Sequence, residues 1–212
     1  MLKQLVFATT NKNKIIEIQQ LLPLNIQLLS LSDIGLTEEI QETQPTIEGN
    51  ASQKAFYVYN NYHVNCFADD TGLEIEALDN RPGVMSARYA GENKNADDNI
   101  KKVLDEMKGI KNRNARFKTI ISLVIDGKEI QFEGIVNGTI LTEKLGTKGF
   151  GYDPIFAPVL NPLSLGESLP RIYFGGQLVR LSFAEMDITE KNKISHRAIA
   201  VNKLVEYFKS IN

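Results

Sequence analysis

Apolar residues arrive in short runs along this chain, and the spacing within the runs changes from one to the next. Leu5, Val6, Phe7 and Ala8 are consecutive and predict a first buried strand. The polar run Thr9-Thr10-Asn11-Lys12-Asn13-Lys14 follows. Ile15, Ile18 and Leu22 then recur at helical spacing until Pro23 stops the helix. Ile26, Leu28 and Leu29 predict a second strand. Residues 32–50 are polar and acidic, and Pro45 and Gly49 break any long helix there. A loop of that length inside a compact domain tends to be functional, although it also reads as a solvated acidic loop. Ala51, Ala55, Val58, Tyr59 and Tyr62 share one helical face, with Asn50 and Lys54 one turn apart beside it.

Val64, Cys66 and Phe67 lead into a short strand expected to end at Asp69-Asp70-Thr71-Gly72. Leu73, Ile75 and Ala77 then predict a strand with one wet face, and Asn80-Arg81-Pro82-Gly83 a turn. The segment Ser86-Ala87-Arg88-Tyr89-Ala90-Gly91 is irregular. Ile100, Val103, Leu104 and Met107 predict a helix capped by Asn95. Residues 116–125 and 130–140 are long strands joined at Asp126-Gly127, a hairpin signal. They predict a sheet of substantial antiparallel character flanked by helices. Within 158–181, Ile172, Phe174, Leu178 and Val179 suggest a small hairpin. Phe183 to Met186 reads as a helical turn. Residues 191–197 lead into a last helix with Ser195 as N-cap and Val201, Leu204, Val205 and Phe208 on its apolar face.

Asp is depleted in strands and costly to bury unpaired, so two carboxylates at a strand end suggest a site. The same four residues also spell an ordinary turn. Successive strand side chains point to opposite faces, so Asp69 and Asp70 cannot both face one cleft. The lysines at 12 and 14 fall at a helix start, where backbone N–H groups attract anions. An ordinary capped helix with solvated lysines has the same pattern, and the glycines of a P-loop are missing. Gly146, Gly149 and Gly151 alternate with Phe150 and Tyr152. Such a loop admits a ligand to its backbone and offers rings for stacking, or it is a turn with core aromatics.

Composition narrows the partners. The chain has 212 residues, 42% of them apolar, enough for one large domain or two small lobes. With 24 Lys and Arg against 26 Asp and Glu, it lacks the basic excess of nucleic-acid binders. One cysteine, Cys66, allows no internal disulfide, and with two histidines it cannot supply a usual zinc site. The N-terminal apolar run is too short for a signal peptide or a membrane span, so a reducing, cytoplasmic setting is expected.

Taken together, the motifs resemble the Ham1/RdgB-type family, the inosine/xanthosine triphosphate pyrophosphatases. The matching stretches are 8–14, Asn50 with Lys54, 68–73, 86–91, Gly149-Phe150-Gly151-Tyr152-Asp153-Pro154-Ile155-Phe156, 183–186 and 191–197, all in the family's order. The resemblance implies an α/β fold (ITPase-like, Maf-Ham1): a long mixed twisted sheet flanked by helices, as one domain of two lobes with a central cleft. It implies a homodimer and Mg²⁺-dependent hydrolysis of ITP, dITP and XTP to monophosphate and pyrophosphate. Asp70 matches the catalytic carboxylate, and Glu42 with Asp70 the metal ligands. Thr9, Thr10, Asn11, Lys12, Asn13 and Lys14 match the phosphate loop, Lys54 faces the phosphates, and Thr71 contacts substrate. Phe150, Gly151, Tyr152 and Asp153 match the nucleoside loop, with Phe150 stacking. Lys191, His196 and Arg197 match the base-reading and phosphate-side positions. Donors from His196 or Arg197 would favour a 6-oxo purine over adenine. Residues 159–181 are longer than the family's usual connection and are expected to be a surface insertion. The Maf proteins, of similar fold but acting on other modified nucleotides, are the alternative; the 191–197 set argues against them.

Overall fold

The computed structural model describes residues 3–159, 173–174, 177–178 and 181–211. The first apolar run forms β1, Lys3–Phe7. Asn11 caps α1, Lys12–Gln19, and its side chain accepts the N–H groups of Asn13 and Lys14. Two of the helix-start donors expected to face an anion are therefore taken by the cap. β2, Ile26–Leu29, pairs parallel to β1. The acidic stretch contains one 3₁₀ turn, Ser32–Ile34, and gives way to α2, Ile47–Tyr62. This helix starts ahead of the expected Ala51. Thr46 accepts the Gly49 N–H and caps it there, so Gly49 lies in the first turn rather than breaking the helix.

β3 spans Cys66–Ile75, so Asp69 and Asp70 lie inside a strand and not at its end. Buried cations partner both carboxylates, as described below, so the ladder continues through them. The strand expected to run through Ala77 stops at Ile75 and coils into a 3₁₀ turn, Glu76–Leu78. Asp79 and Asn80 turn the chain in left-handed conformations, and β4, Arg81–Gly83, returns antiparallel on β3. Three of the four residues of the expected turn are therefore strand. α3, Ala96–Glu106, is capped by Asn95 as predicted. β5, Asn114–Ile125, and β6, Lys128–Ile140, are joined by Asp126 and Gly127 at φ 50° and 78°, as a two-residue hairpin requires. β7, Phe156–Pro158, pairs antiparallel to β6. The small hairpin forms as β8, Tyr173–Phe174, and β9, Gln177–Leu178. The rest of 160–180 lies outside the described residues, and the expected insertion with it. Residues 191–194 belong to a helix of their own, α4, Ile188–Ile194. Ser195 then caps α5, His196–Ser210, by accepting the Ala198 N–H.

The strand order is β2-β1-β3-β5-β6-β7 with β4 beside β3, and parallel and antiparallel pairs make the sheet mixed, as expected. Among the described residues no helix is long and apolar enough to cross a membrane. The chain forms two compact units, Met1–Thr71 with Lys118–Ile135 and Ser195–Asn212, and Gly72–Phe117 with Val136–Ile194.

In the first unit the strands are covered on both faces. Leu5, Phe7 and Phe67 pack with Ile18 of α1 and Val201 and Leu204 of α5. Val6, Ala8, Cys66 and Ala68 pack with Ala55 and Val58 of α2. The alternation carries onward along β3 to Thr71: Asp69 and Thr71 lie on the α1 and α5 side, and Asp70 lies on the α2 side. Cys66 is a core residue, its thiol pushed up to about 12 by burial. In the second unit Phe117, Phe156 and Phe183 pack ring against ring, with centroids 4.6 Å apart for the first pair and 5.3 Å for Phe156 and Phe183.

Candidate active site

The alternation sends the two adjacent carboxylates of β3 to different partners. Asp69, on the α1 and α5 side, is fully buried. It accepts from Lys14 Nζ at 2.8 Å and from Arg197 Nε at 3.1 Å. Arg197 is 1% exposed, pairs through Nη1 with the buried Glu17 of α1, and donates through Nη2 to Thr71 Oγ1 at 3.3 Å. Thr71 Oγ1 also shares a hydrogen bond with Thr119 at 2.7 Å. Burial opposes the Asp69 anion, but Lys14 and Arg197 together outweigh it and hold the carboxyl well below its usual range. Burial pulls Lys14 below its usual value, against the attraction of Asp69.

Asp70, on the α2 side, lies in a different field. Lys54 Nζ pairs with Glu42 and stands 3.6 Å from Asp70 Oδ1. Asp70 Oδ2 is buried and has no hydrogen-bond partner among the described residues. Burial pushes the Asp70 carboxyl above its ordinary value, and the Lys54 and Lys14 charges only partly offset this. Burial also works against the Lys54 ammonium, but Asp70 and Glu42 outweigh it and raise its pKa. The acidic stretch thus delivers Glu42 to the same cation that faces Asp70.

The rest of the polar run after β1 takes lesser places. Thr9 accepts from the Asn11 N–H at 3.2 Å, and Thr10, Lys12 and Asn13 are exposed. His196 is buried at the start of α5. Arg197 faces the buried carboxylates of Asp69 and Glu17. Lys191 belongs to the second unit, whereas His196 and Arg197 belong to the first.

The second unit builds its own cluster at the glycine-rich loop. Asp153 is 3% exposed and accepts from the Phe150 N–H at 2.8 Å and from Lys191 Nζ at 2.7 Å. Gly149 makes this possible: its φ is +73°, and a Cβ there would lie 2.2 Å from Asp153 Oδ2. Lys191 Nζ stands 5.0 Å from the centroid of the half-buried Phe150 ring and 5.6 Å from that of Phe183. Gly151 is half-buried in the same loop. Tyr152 is buried, and its hydroxyl donates to the Ser86 carbonyl at 2.9 Å, so it anchors the loop and offers no stacking face.

Among the described residues no group of three or more His, Cys, Asp or Glu side chains is arranged to hold a metal ion. A pair of carboxylates fits a different kind of site. Mg²⁺ shares its coordination between one or two carboxylates, substrate phosphates and water. Glu42 and Asp70 flank one ammonium group, so a cation already stands between them, and Asp70 Oδ2 is an orphaned buried acceptor.

Sequence reasoning singles out Asp69 without giving it a role, and it passes over Glu17. For Asp69 the strand alternation was on hand, but not its partners. For Glu17 the one signal is a carboxylate set among Ile15, Ile16 and Ile18, one turn after Lys14.

Comparison with known proteins gives a consistent picture. Residues 5–207 match the model of the Ham1 family. A dITP/XTP pyrophosphatase of Flavobacterium psychrophilum is 50% identical over 207 residues, covering 98% of this chain and 100% of the relative. The dITP/XTP pyrophosphatase of Bacillus subtilis is 43% identical over 207 residues, 96% of each chain. The solved structure of the Staphylococcus aureus Ham1 protein matches with a TM-score of 0.82 at 33% identity, covering 99% of this chain and 100% of that one.

Proposed function

Because this chain belongs to the Ham1 family, we propose that the polar cluster on β3 is the active site of a nucleoside triphosphate pyrophosphatase. The enzyme hydrolyses non-standard purine nucleotides, dITP, ITP and XTP, to the monophosphate and pyrophosphate and so removes them from the nucleotide pool. One observation carries the assignment of roles. Two neighbouring carboxylates on one strand meet opposite surroundings: Asp69 accepts from two cations, whereas Asp70 keeps a buried oxygen without a partner among the described residues, and burial raises its pKa. Pairs of that kind divide structural from proton-transferring work.

Asp70 is the general base that takes a proton from the attacking water, since a carboxyl raised toward working pH is the better base. Lys14 and Lys54 meet the phosphate oxygens and stabilise charge that develops on them, without covalent chemistry. Asp69 and Arg197 orient Lys14 from behind, and Thr71 lies in the same network. Glu42 and Asp70 would hold Mg²⁺, which when bound neutralises phosphate charge and acidifies a coordinated water. Thr9, Thr10, Asn11, Lys12 and Asn13 form the remainder of the phosphate loop.

In the second unit Phe150 offers the stacking face and Lys191 a donor for the C6 oxygen of hypoxanthine or xanthine. Adenine presents an amine at that position, and two facing donors leave a buried polar group unsatisfied at about 1–3 kcal/mol. Phe150→Ala therefore raises KM for dITP with little change in kcat. A lost base–aromatic stack costs about 1–3 kcal/mol, or roughly 5- to 150-fold in KM. Steady-state kinetics check this, and an unchanged KM removes the ring from the site.

The reading carries with it a homodimer, which sedimentation would test, and a cytoplasmic setting, with which the single free cysteine agrees. The reaction itself is tested by phosphorus NMR of dITP with Mg²⁺. Pyrophosphate and dIMP are the expected products, and orthophosphate with dIDP overturns the assignment.

A further inference from the structure

The segment that carries Glu42 has no regular structure of its own between the 3₁₀ turn and α2, yet its backbone is held at successive residues by side chains of α2. The Thr43 N–H donates to Gln53 Oε1 at 3.0 Å, and Gln53 Nε2 donates back to Thr43 Oγ1 at 2.9 Å. The Gln44 N–H donates to Asn50 Oδ1 at 2.9 Å, and Asn50 is 1% exposed. Gly49 lets the two elements approach, because a Cβ there would lie 2.8 Å from Gln44 Cβ. Ile40 and Ile47 are buried at either end. Lys54, on the same helix, takes the Glu42 side chain itself. Three consecutive residues, 42 to 44, are thus each tied to α2 by a different side chain.

An arm anchored so densely is preorganised. A loop free to move would spend binding energy on ordering Glu42 each time a cation arrived. We infer that Asn50, with Gln53, is a positioning residue that fixes residues 42–44 against α2 and so presents Glu42 to its cation. Neither side chain touches substrate in this scheme; both act through the backbone of the arm. The inference rests on the reading of Glu42 as a Mg²⁺ ligand.

Asn50→Ala removes the acceptor for the Gln44 N–H, and Asn50→Asp keeps an acceptor of the same shape. Gln53→Ala tests the more exposed tie and remains available if Asn50→Ala fails to fold. Two measurements apply to each variant and to Glu42→Gln: Mn²⁺ binding to the nucleotide-free protein by electron paramagnetic resonance, and the Mg²⁺ dependence of dITP hydrolysis. Asn50→Ala is expected to weaken Mn²⁺ binding and raise the half-saturating Mg²⁺ concentration by about tenfold. KM for dITP at saturating Mg²⁺ should stay within twofold. Gln53→Ala shifts both metal readouts in the same direction by a smaller factor, and Asn50→Asp restores them to near wild type. Wild-type metal binding in folded Asn50→Ala and Gln53→Ala, while Glu42→Gln loses it, overturns the clamp alone. Wild-type metal binding in Glu42→Gln overturns the metal reading, and the clamp falls with it.

Discussion

Asp70→Asn should reduce dITP turnover by about 10²–10⁴-fold, the usual worth of a positioned general base, while dITP still binds. The same substitution should leave the melting temperature at neutral pH unchanged or higher. Both results follow from one cause. Burial raises the Asp70 pKa, so the anion that catalysis needs is disfavoured in the folded state relative to the unfolded chain. A group of this sign stabilises the fold in its protonated form below the unfolded pKa. That contribution is lost as pH rises through the folded value. Asn is neutral throughout and escapes the loss, while Lys54 keeps Glu42 as its partner. In the wild type the activity runs the other way with pH. It falls as pH drops through the raised pKa, so the acid limb of kcat/KM should lie above the ordinary Asp value of about 3.9. A limb at or below that value, or a variant that melts lower, removes Asp70 as a strained base. Stability sacrificed at one residue for activity is the common pattern at catalytic sites.

How far this site could be read from sequence depends on how local each feature is. The caps of α3 at Asn95 and α5 at Ser195 and the Asp126-Gly127 hairpin are encoded within a few residues, and all three form as read. The opposite facing of Asp69 and Asp70 follows from the period of a strand and also held. What escaped was set by distant partners. Glu17 meets Arg197 across 180 positions of sequence, and on its own it reads as a polar residue of an amphipathic helix. β3 was expected to stop at its carboxylates because an unpaired Asp breaks a buried strand. It runs on because Lys14, Lys54 and Arg197 arrive from three separate helices. Whether the Tyr152 ring faces a ligand or the core is open in the sequence, because nothing near it announces the Ser86 carbonyl.

Asp69→Asn should have the opposite signature from its neighbour: a large fall in stability. The wild-type carboxylate faces two cations, the part-buried Lys14 and the buried Arg197, and Glu17 pairs with the second. Removing one partner of a buried ion pair leaves uncompensated charge and costs about 3–5 kcal/mol. For a chain of this size that corresponds to a drop in melting temperature of roughly 6–20 °C. The pH dependence fixes the cause. Asp69 is held below its ordinary value, so its contribution is fully present above the unfolded carboxylate pKa of about 3.9 and is lost as pH falls through the folded value. The gap between wild type and variant should be widest at neutral pH and narrow in acid, as read by thermal melts across that range. A constant gap would mean that shape, not charge, is what Asp69 supplies. A double-mutant cycle with Arg197→Met separates the two cations, because coupling between Asp69 and Arg197 vanishes if Lys14 alone holds the carboxylate. Turnover in Asp69→Asn should fall as well, through Lys14, whose ammonium loses the oxygen that aims it. Adjacent positions on one strand thus answer to different requirements: Asp69 holds the charged scaffold together, and that scaffold keeps the Lys14 ammonium in place for catalysis.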